Sequence, residues 1–215
     1  MTEQETAFWD VIEVFGKEDL LPYVMIIGSW AEHIFQQYLI PGFTANLFTR
    51  DVDVFYPNLR KPVNRNINIS DSLKEKGFIY SENRLTGVGK FFKEGLLELE
   101  FLTRVLGIGQ PVNKIPSLNI SAEGIRELNM LERYPLSIDC KGYRVIVPEP
   151  EAYILQKLVI NPTRKPDEKR EKDIMALRQL MKCVNKDRVQ EIYSELSKKE
   201  KRIIDVVSSA NAIAI

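Results

Sequence analysis

One histidine and two cysteines are all that this chain of 215 residues offers toward soft-metal or redox chemistry. His33, Cys140 and Cys183 lie far apart in sequence, which excludes a His/Cys zinc cluster. Two cysteines also cannot build a disulfide framework. Long apolar runs are missing. The longest, Tyr23-Val24-Met25-Ile26-Ile27, is strand-sized, against the roughly 20 residues of a membrane span. The opening Met1-Thr2-Glu3-Gln4-Glu5 is acidic and leads into no apolar stretch, so the reading predicts no signal peptide, a cytoplasmic protein and no membrane partner. Composition is 44% hydrophobic and 28% charged, which excludes disorder and collagen-like repeats.

An overall excess of either charge is also lacking, with 30 basic and 30 acidic residues. Their placement is uneven. Residues 157–202 carry fourteen Lys/Arg against eight Asp/Glu, and residues 1–156 carry sixteen against twenty-one. A basic segment facing an acidic body suits a polyanionic ligand, although solvated helix faces give the same count.

The first two-thirds of the chain alternates between helix and strand signals. Residues 7–15 are apolar at helical spacing, and 23–27 form a continuous apolar run typical of a buried strand. Gly28-Ser29 follows at once. A helix over 30–39 then turns Trp30, Ile34, Phe35 and Tyr38 inward and leaves Glu32, His33, Gln36 and Gln37 on the other face, with His33 exposed. Pro41-Gly42 stops it. Asp51-Val52-Asp53-Val54-Phe55 alternates polar and apolar, the pattern of a half-buried strand. A helix over 70–76 follows, then strands over 89–92 and 96–102 around a Glu94-Gly95 turn. Residues 105–120, with two prolines and two glycines, read as a long loop, and 143–147 as a last strand. After Pro150 every segment is helical: 151–160, 166–184, 186–196 and 198–208. The expectation is an α+β fold with two parts, a mixed-sheet domain over 1–149 and a helical domain over 150–215.

The chemistry-bearing stretch is Gly28-Ser29 followed by Thr49-Arg50-Asp51-Val52-Asp53. Residues two apart on a strand share a face, about 6.6 Å apart. Asp51 and Asp53 therefore project together, and such a pair can hold two Mg²⁺ ions about 3.5–4 Å apart. Gly28-Ser29 sits where a strand turns into a helix, a place where backbone N–H groups and the helix dipole favour an anion. A third carboxylate comes from Glu98 or Glu100, which share a strand face. Glu100 is preferred because it leads into the apolar Phe101-Leu102. Each piece also has an ordinary structural reading: a solvated strand face for the aspartates, a helix cap for Ser29, a surface i,i+4 pair for Lys169 and Asp173. Gly87-Val88-Gly89-Lys90 lacks the flanking residues of a phosphate-binding loop.

Together, Gly-Ser, a helix, Thr-x-Asp-hydrophobic-Asp and a later strand carboxylate resemble the nucleotidyltransferase fold of the DNA polymerase β superfamily. Val147-Pro148-Glu149-Pro150-Glu151-Ala152-Tyr153-Ile154-Leu155-Gln156-Lys157-Leu158, then Arg164, then Lys169-Arg170-Glu171-Lys172-Asp173, is similar to stand-alone bacterial nucleotidyltransferases that include the abortive-infection toxins. The resemblance runs from about residue 23 to 182.

The resemblance implies that Gly28 and Ser29 hold the β- and γ-phosphates of an NTP. It implies Asp51, Asp53 and Glu100 as catalytic ligands of two Mg²⁺ ions. Lys157 and Lys172 would contact triphosphate or acceptor, Asp173 would orient a basic residue or the acceptor, and the helical part would close over the nucleotide. The implied activity moves an NMP to an acceptor hydroxyl, on a tRNA or a protein, with release of pyrophosphate. The alternative is a non-catalytic module on the same fold that binds a nucleotide or a partner, as in a toxin–antitoxin or phage-defence system.

Overall fold

The computed structural model describes residues 1–45, 49–57, 63, 65–105, 111–126 and 128–215. The fold is α+β, a mixed sheet flanked by helices with a helical C-terminal region. The chain divides into two compact units. The first gathers Met1–Ala31, Phe48–Arg126 and Ser137–Val147; the second gathers Glu32–Leu47, Glu127–Leu136 and Pro148–Ile215. Among the described residues no helix is long and apolar enough to cross a membrane.

The first unit opens with α1 (Glu3–Lys17), started by a Thr2–Glu5 capping box that satisfies backbone donors from both sides. Strand β1 (Met25–Ile27) runs straight into α2 (Gly28–Ile34), which continues as a π-helical turn over Phe35–Leu39. Then come β2 (Asp51–Phe55), α3 (Ile69–Lys74), β3 (Ile79–Glu82), β4 (Gly89–Lys93), β5 (Leu97–Arg104), β6 (Val112–Ile115) and β7 (Ile120–Ile125). The sheet has seven strands, with the path β1-β2-β5-β4-β3 and β7 pairing with β5 and β6. The β2–β5 and β5–β7 pairings are parallel and the others antiparallel.

Strand alternation decides what each face of this sheet does. Val52, Val54, Leu97, Leu99, Phe91 and Phe101 are buried together with Phe8, Val11, Ile12 and Phe15 of α1. Phe15 packs against Phe101 with ring centroids 5.8 Å apart, and Phe8 stacks on Trp30 at 4.3 Å. Burying such side chains is the main stabilising term, about 1.5–3 kcal/mol each. With the odd-numbered β5 residues and even-numbered β2 residues committed to the core, Asp51, Asp53, Glu98 and Glu100 are left on the opposite face.

A loop over 105–120 is not what forms. Residues 112–115 make β6, and β7 begins at Ile120, joined by a turn over Pro116–Leu118. Pro111 and Pro116 flank the short β6 rather than dissolve it. Residues 106–110, including Gly107 and Gly109, lie outside the described residues.

The remaining elements are α4 (Asn129–Arg133), β8 (Pro135–Cys140), β9 (Tyr143–Pro148), α5 (Pro150–Ile160), α6 (Asp167–Leu180), α7 (Lys186–Glu195) and α8 (Lys198–Ala210). Within the second unit α5 is the hub, touching α4, α6, α7 and α8. Its Ala152, Ile154, Leu155 and Leu158 are fully buried. Pro150 opens α5 at a position where a missing N–H costs nothing. Asn185 caps α7, and a Ser197–Glu200 capping box starts α8. His33 is buried at 2% exposure, contrary to its expected exposed position, and Glu32 is buried beside it.

Candidate active site

The site is built from register. Parallel pairing of β2 with β5 sets Asp51 opposite Glu98 and Asp53 opposite Glu100. Adjacent strands stand about 4.8 Å apart, so four carboxylates fall on one face in two facing pairs. Oxygens of Asp51, Glu98 and Glu100 come within 4.8 Å of one another. Sequence had pointed to one of the two glutamates; the structure brings both to Asp51. Glu98 is the more open, with its side chain 40% exposed against 13% for Glu100.

Asp53 is placed by a second contact. Antiparallel pairing sets it opposite Ile27, the last residue of β1. Gly28 follows with φ at +67°, in the left-handed region, and a Cβ built there would collide with an Asp53 carboxylate oxygen. Only glycine meets both conditions without strain. The next residue ties the bend to the other strand. The hydroxyls of Ser29 and Thr49 lie 2.7 Å apart, and Thr49 Oγ1 donates to the Asp51 carbonyl at 3.3 Å. The Gly-Ser and Thr-x-Asp-x-Asp segments, separated in sequence, thus meet at one corner of the first unit.

A residue that sequence reasoning passed over completes this face. Lys90 on β4 pairs with Glu100 across the β4–β5 ladder. Its ammonium contacts the Glu100 carboxylate and lies 3.9 Å from Glu98. Partial burial works against the charged lysine, but the hydrogen bond and charge of Glu100, then Glu98 and Asp51, outweigh it and hold the Lys90 pKa above the usual lysine value. Burial pushes the Glu123 carboxyl up, and the nearby Glu100 charge adds to that, while Lys90 opposes it.

The donor set is all carboxylate, carried on paired strands, with a backbone bend against one ligand. It fits a hard divalent cation, which takes oxygen ligands and keeps water and phosphate in its remaining positions.

The other predicted residues belong to the second unit. Lys157 is buried on α5, and its Nζ donates to Asp173 Oδ1 at 2.8 Å. Arg164 Nε donates to the other oxygen of Asp173 at 2.9 Å. Asp173 therefore holds two cations, and the surface pairing with Lys169 is not its structural role. Lys172 is exposed. Beside this group Tyr153 donates to Glu32 Oε1 at 2.7 Å, with the Lys157 ammonium 5.4 Å from the Tyr153 ring centroid. Burial pushes the Glu32 carboxyl up, against the Tyr153 hydrogen bond and the Lys157 charge. The Tyr153 phenol is pushed well up, by burial first and then by Glu32.

Comparison with known proteins gives the chain a family and a fold. A sequence model of the family described as Nucleotidyltransferase matches residues 7–200, and the chain belongs to that family. No curated protein sequence matches it. Among solved structures it is similar to an antigenic nucleotidyltransferase-like protein from Paracoccidioides brasiliensis, with a TM-score of 0.58 and 14% identity over 98% of this chain and 90% of that one. ANT(2")-Ia in complex with adenylyl-2"-tobramycin aligns at a TM-score of 0.49 and 15% identity, over 97% of this chain and 99% of that one. The first likeness shows a shared fold.

Proposed function

We propose that the chain is a divalent-metal-dependent nucleotidyltransferase that moves an NMP from an NTP to an acceptor hydroxyl and releases pyrophosphate. The observation that carries this reading is the facing of Asp51 and Asp53 with Glu98 and Glu100, beside the Gly28 bend. Asp51, Asp53 and Glu100 hold Mg²⁺, two ions in the full complex. When bound, Mg²⁺ supplies charge stabilisation for the entering and leaving oxygens of an in-line displacement.

The chain's own groups do the rest. The backbone of Gly28 and the Ser29 hydroxyl hold the β- and γ-phosphates, so the leaving pyrophosphate is already gripped when the bond breaks. Glu98, the more open glutamate, accepts the proton of the acceptor hydroxyl while Glu100 stays on the metal side. Lys157 and Lys172 contact triphosphate or acceptor, and Asp173 orients its cationic neighbours, a role supported by its bonds to Lys157 and Arg164.

The acceptor we favour is a tRNA, because residues 157–202 carry fourteen basic against eight acidic residues. A protein acceptor is the other outcome of the same assay. A place in a toxin–antitoxin or phage-defence pair follows the sequence resemblance alone. The test is transfer of label from α-³²P-NTPs onto total RNA and onto protein extract, with Mg²⁺ and with EDTA. Label in RNA that disappears with EDTA supports the reading. Nucleotide binding without transfer to either fraction supports a non-catalytic module instead.

A further inference from the structure

Lys90 is the one cation that the β4–β5 ladder sets directly opposite Glu100. Its ammonium sits where Glu98 and Glu100 converge, in contact with one and 3.9 Å from the other. Asp51 belongs to the same cluster, so a positive charge already stands among the three carboxylates best placed for a metal. The Asp53 end is different, since it abuts the Gly28 bend. An ammonium and a divalent ion cannot share the same oxygens, because like charges a few ångströms apart repel strongly in a half-buried site.

We propose that Lys90 is a resident cation that governs how many metal ions the site takes. One divalent ion enters at the Asp51–Asp53 side, while the Lys90 ammonium occupies the Glu98–Glu100 side. A second ion binds there only by displacing that ammonium, so full loading waits until a nucleotide's phosphates add negative charge. This rests on the metal-dependent reading above and adds a regulatory residue to it. It also accounts for two glutamates on β5: both anchor the lysine until a metal takes Glu100.

The experiment is Mn²⁺ binding to the full chain without nucleotide, by isothermal titration and by the loss of the free-Mn²⁺ EPR signal. It is run on wild type, Lys90→Met and Lys90→Arg. Far-UV circular dichroism checks that each variant folds, and Lys90→Gln replaces Lys90→Met should that variant fail to fold. Wild type and Lys90→Arg are expected to bind one Mn²⁺ per chain. Lys90→Met is expected to bind a second, at least about tenfold tighter than any second ion in wild type. Equal stoichiometry and affinity in wild type and Lys90→Met overturn the role of Lys90 and leave the metal-dependent reading intact. Weaker binding by Lys90→Met overturns it as well. No Mn²⁺ binding by any variant removes the metal-dependent reading itself.

Discussion

Asp53 on β2 stands directly across from Glu100 on β5, in a parallel pairing that also sets Asp51 across from Glu98. The relationship follows from packing. Val52, Val54, Leu99 and Phe101 must face the core, and a slip of one residue would drive the carboxylates inward and the aliphatic groups out. The same hydrophobic pattern that stabilises the sheet therefore concentrates negative charge on its other face.

The bend at Gly28 should tolerate no side chain. Gly28→Ala has to hold alanine at a φ of +67° and displace the Asp53 carboxylate. The left-handed conformation alone costs about 1–3 kcal/mol. Urea denaturation should show a loss of that order, together with loss of transferase activity. Ser29→Ala removes the hydroxyl pairing with Thr49 and should cost about 1 kcal/mol of stability, together with the hydroxyl proposed to hold phosphate.

Asp173 should matter for stability as well as for any role toward substrate. Asp173→Ala leaves the buried Lys157 ammonium without its carboxylate. Breaking a buried pair from one side typically costs about 3–5 kcal/mol. Replacing both partners, as Lys157→Met with Asp173→Leu, should recover most of that loss. A double-mutant cycle by chemical denaturation checks it, and additive losses would contradict the pairing.

Glu32 should show a pH-dependent penalty of opposite sign to the usual surface carboxylate. Burial raises its pKa above the ordinary 4.5. Folding thus favours the protonated form, and the associated stability is present below about pH 4.5 and lost as pH rises through the raised value. Glu32→Gln retains an acceptor for the Tyr153 hydroxyl and carries no charge. Its melting temperature should exceed wild type at pH 7, and the gap should close as pH falls below about 4.5. Thermal melts across pH 3.5–7.5 test this, and a gap that widens in acid would contradict it.

Much of this was legible in the sequence, and the misses have physical causes. The Asp-Val-Asp-Val-Phe alternation of β2 and the Glu94-Gly95 turn between β4 and β5 are strong local signals, and both elements form as read. Lys90 was within reach. A hairpin centred on Gly95 sets residue 90 opposite residue 100 by counting. The glycines before it, Gly87 and Gly89, carry a phosphate-loop signal that competes with the strand reading. β6 was missed because four residues between prolines carry too little periodicity to outweigh the turn signals. His33 and Glu32 were assigned to a solvated face because helical periodicity reports only one apolar stripe. It cannot register that a buried phenol, Tyr153, from a distant helix supplies Glu32 with a hydrogen bond. The joining of Lys157, Arg164 and Asp173 is likewise tertiary, and sequence spacing alone pointed to Lys169 as the partner of Asp173.

The most direct test of the carboxylate face is single-turnover transfer from an α-labelled NTP by wild type and by Asp51→Ala, each with and without Mg²⁺, alongside a melt of both proteins. Labelled product is expected only for wild type with Mg²⁺, with a fall of about a thousandfold or more in Asp51→Ala and an unchanged or slightly higher melting temperature in the variant once a like charge is removed from the cluster. An Asp51→Ala protein that is folded and transfers label at the wild-type rate would contradict it.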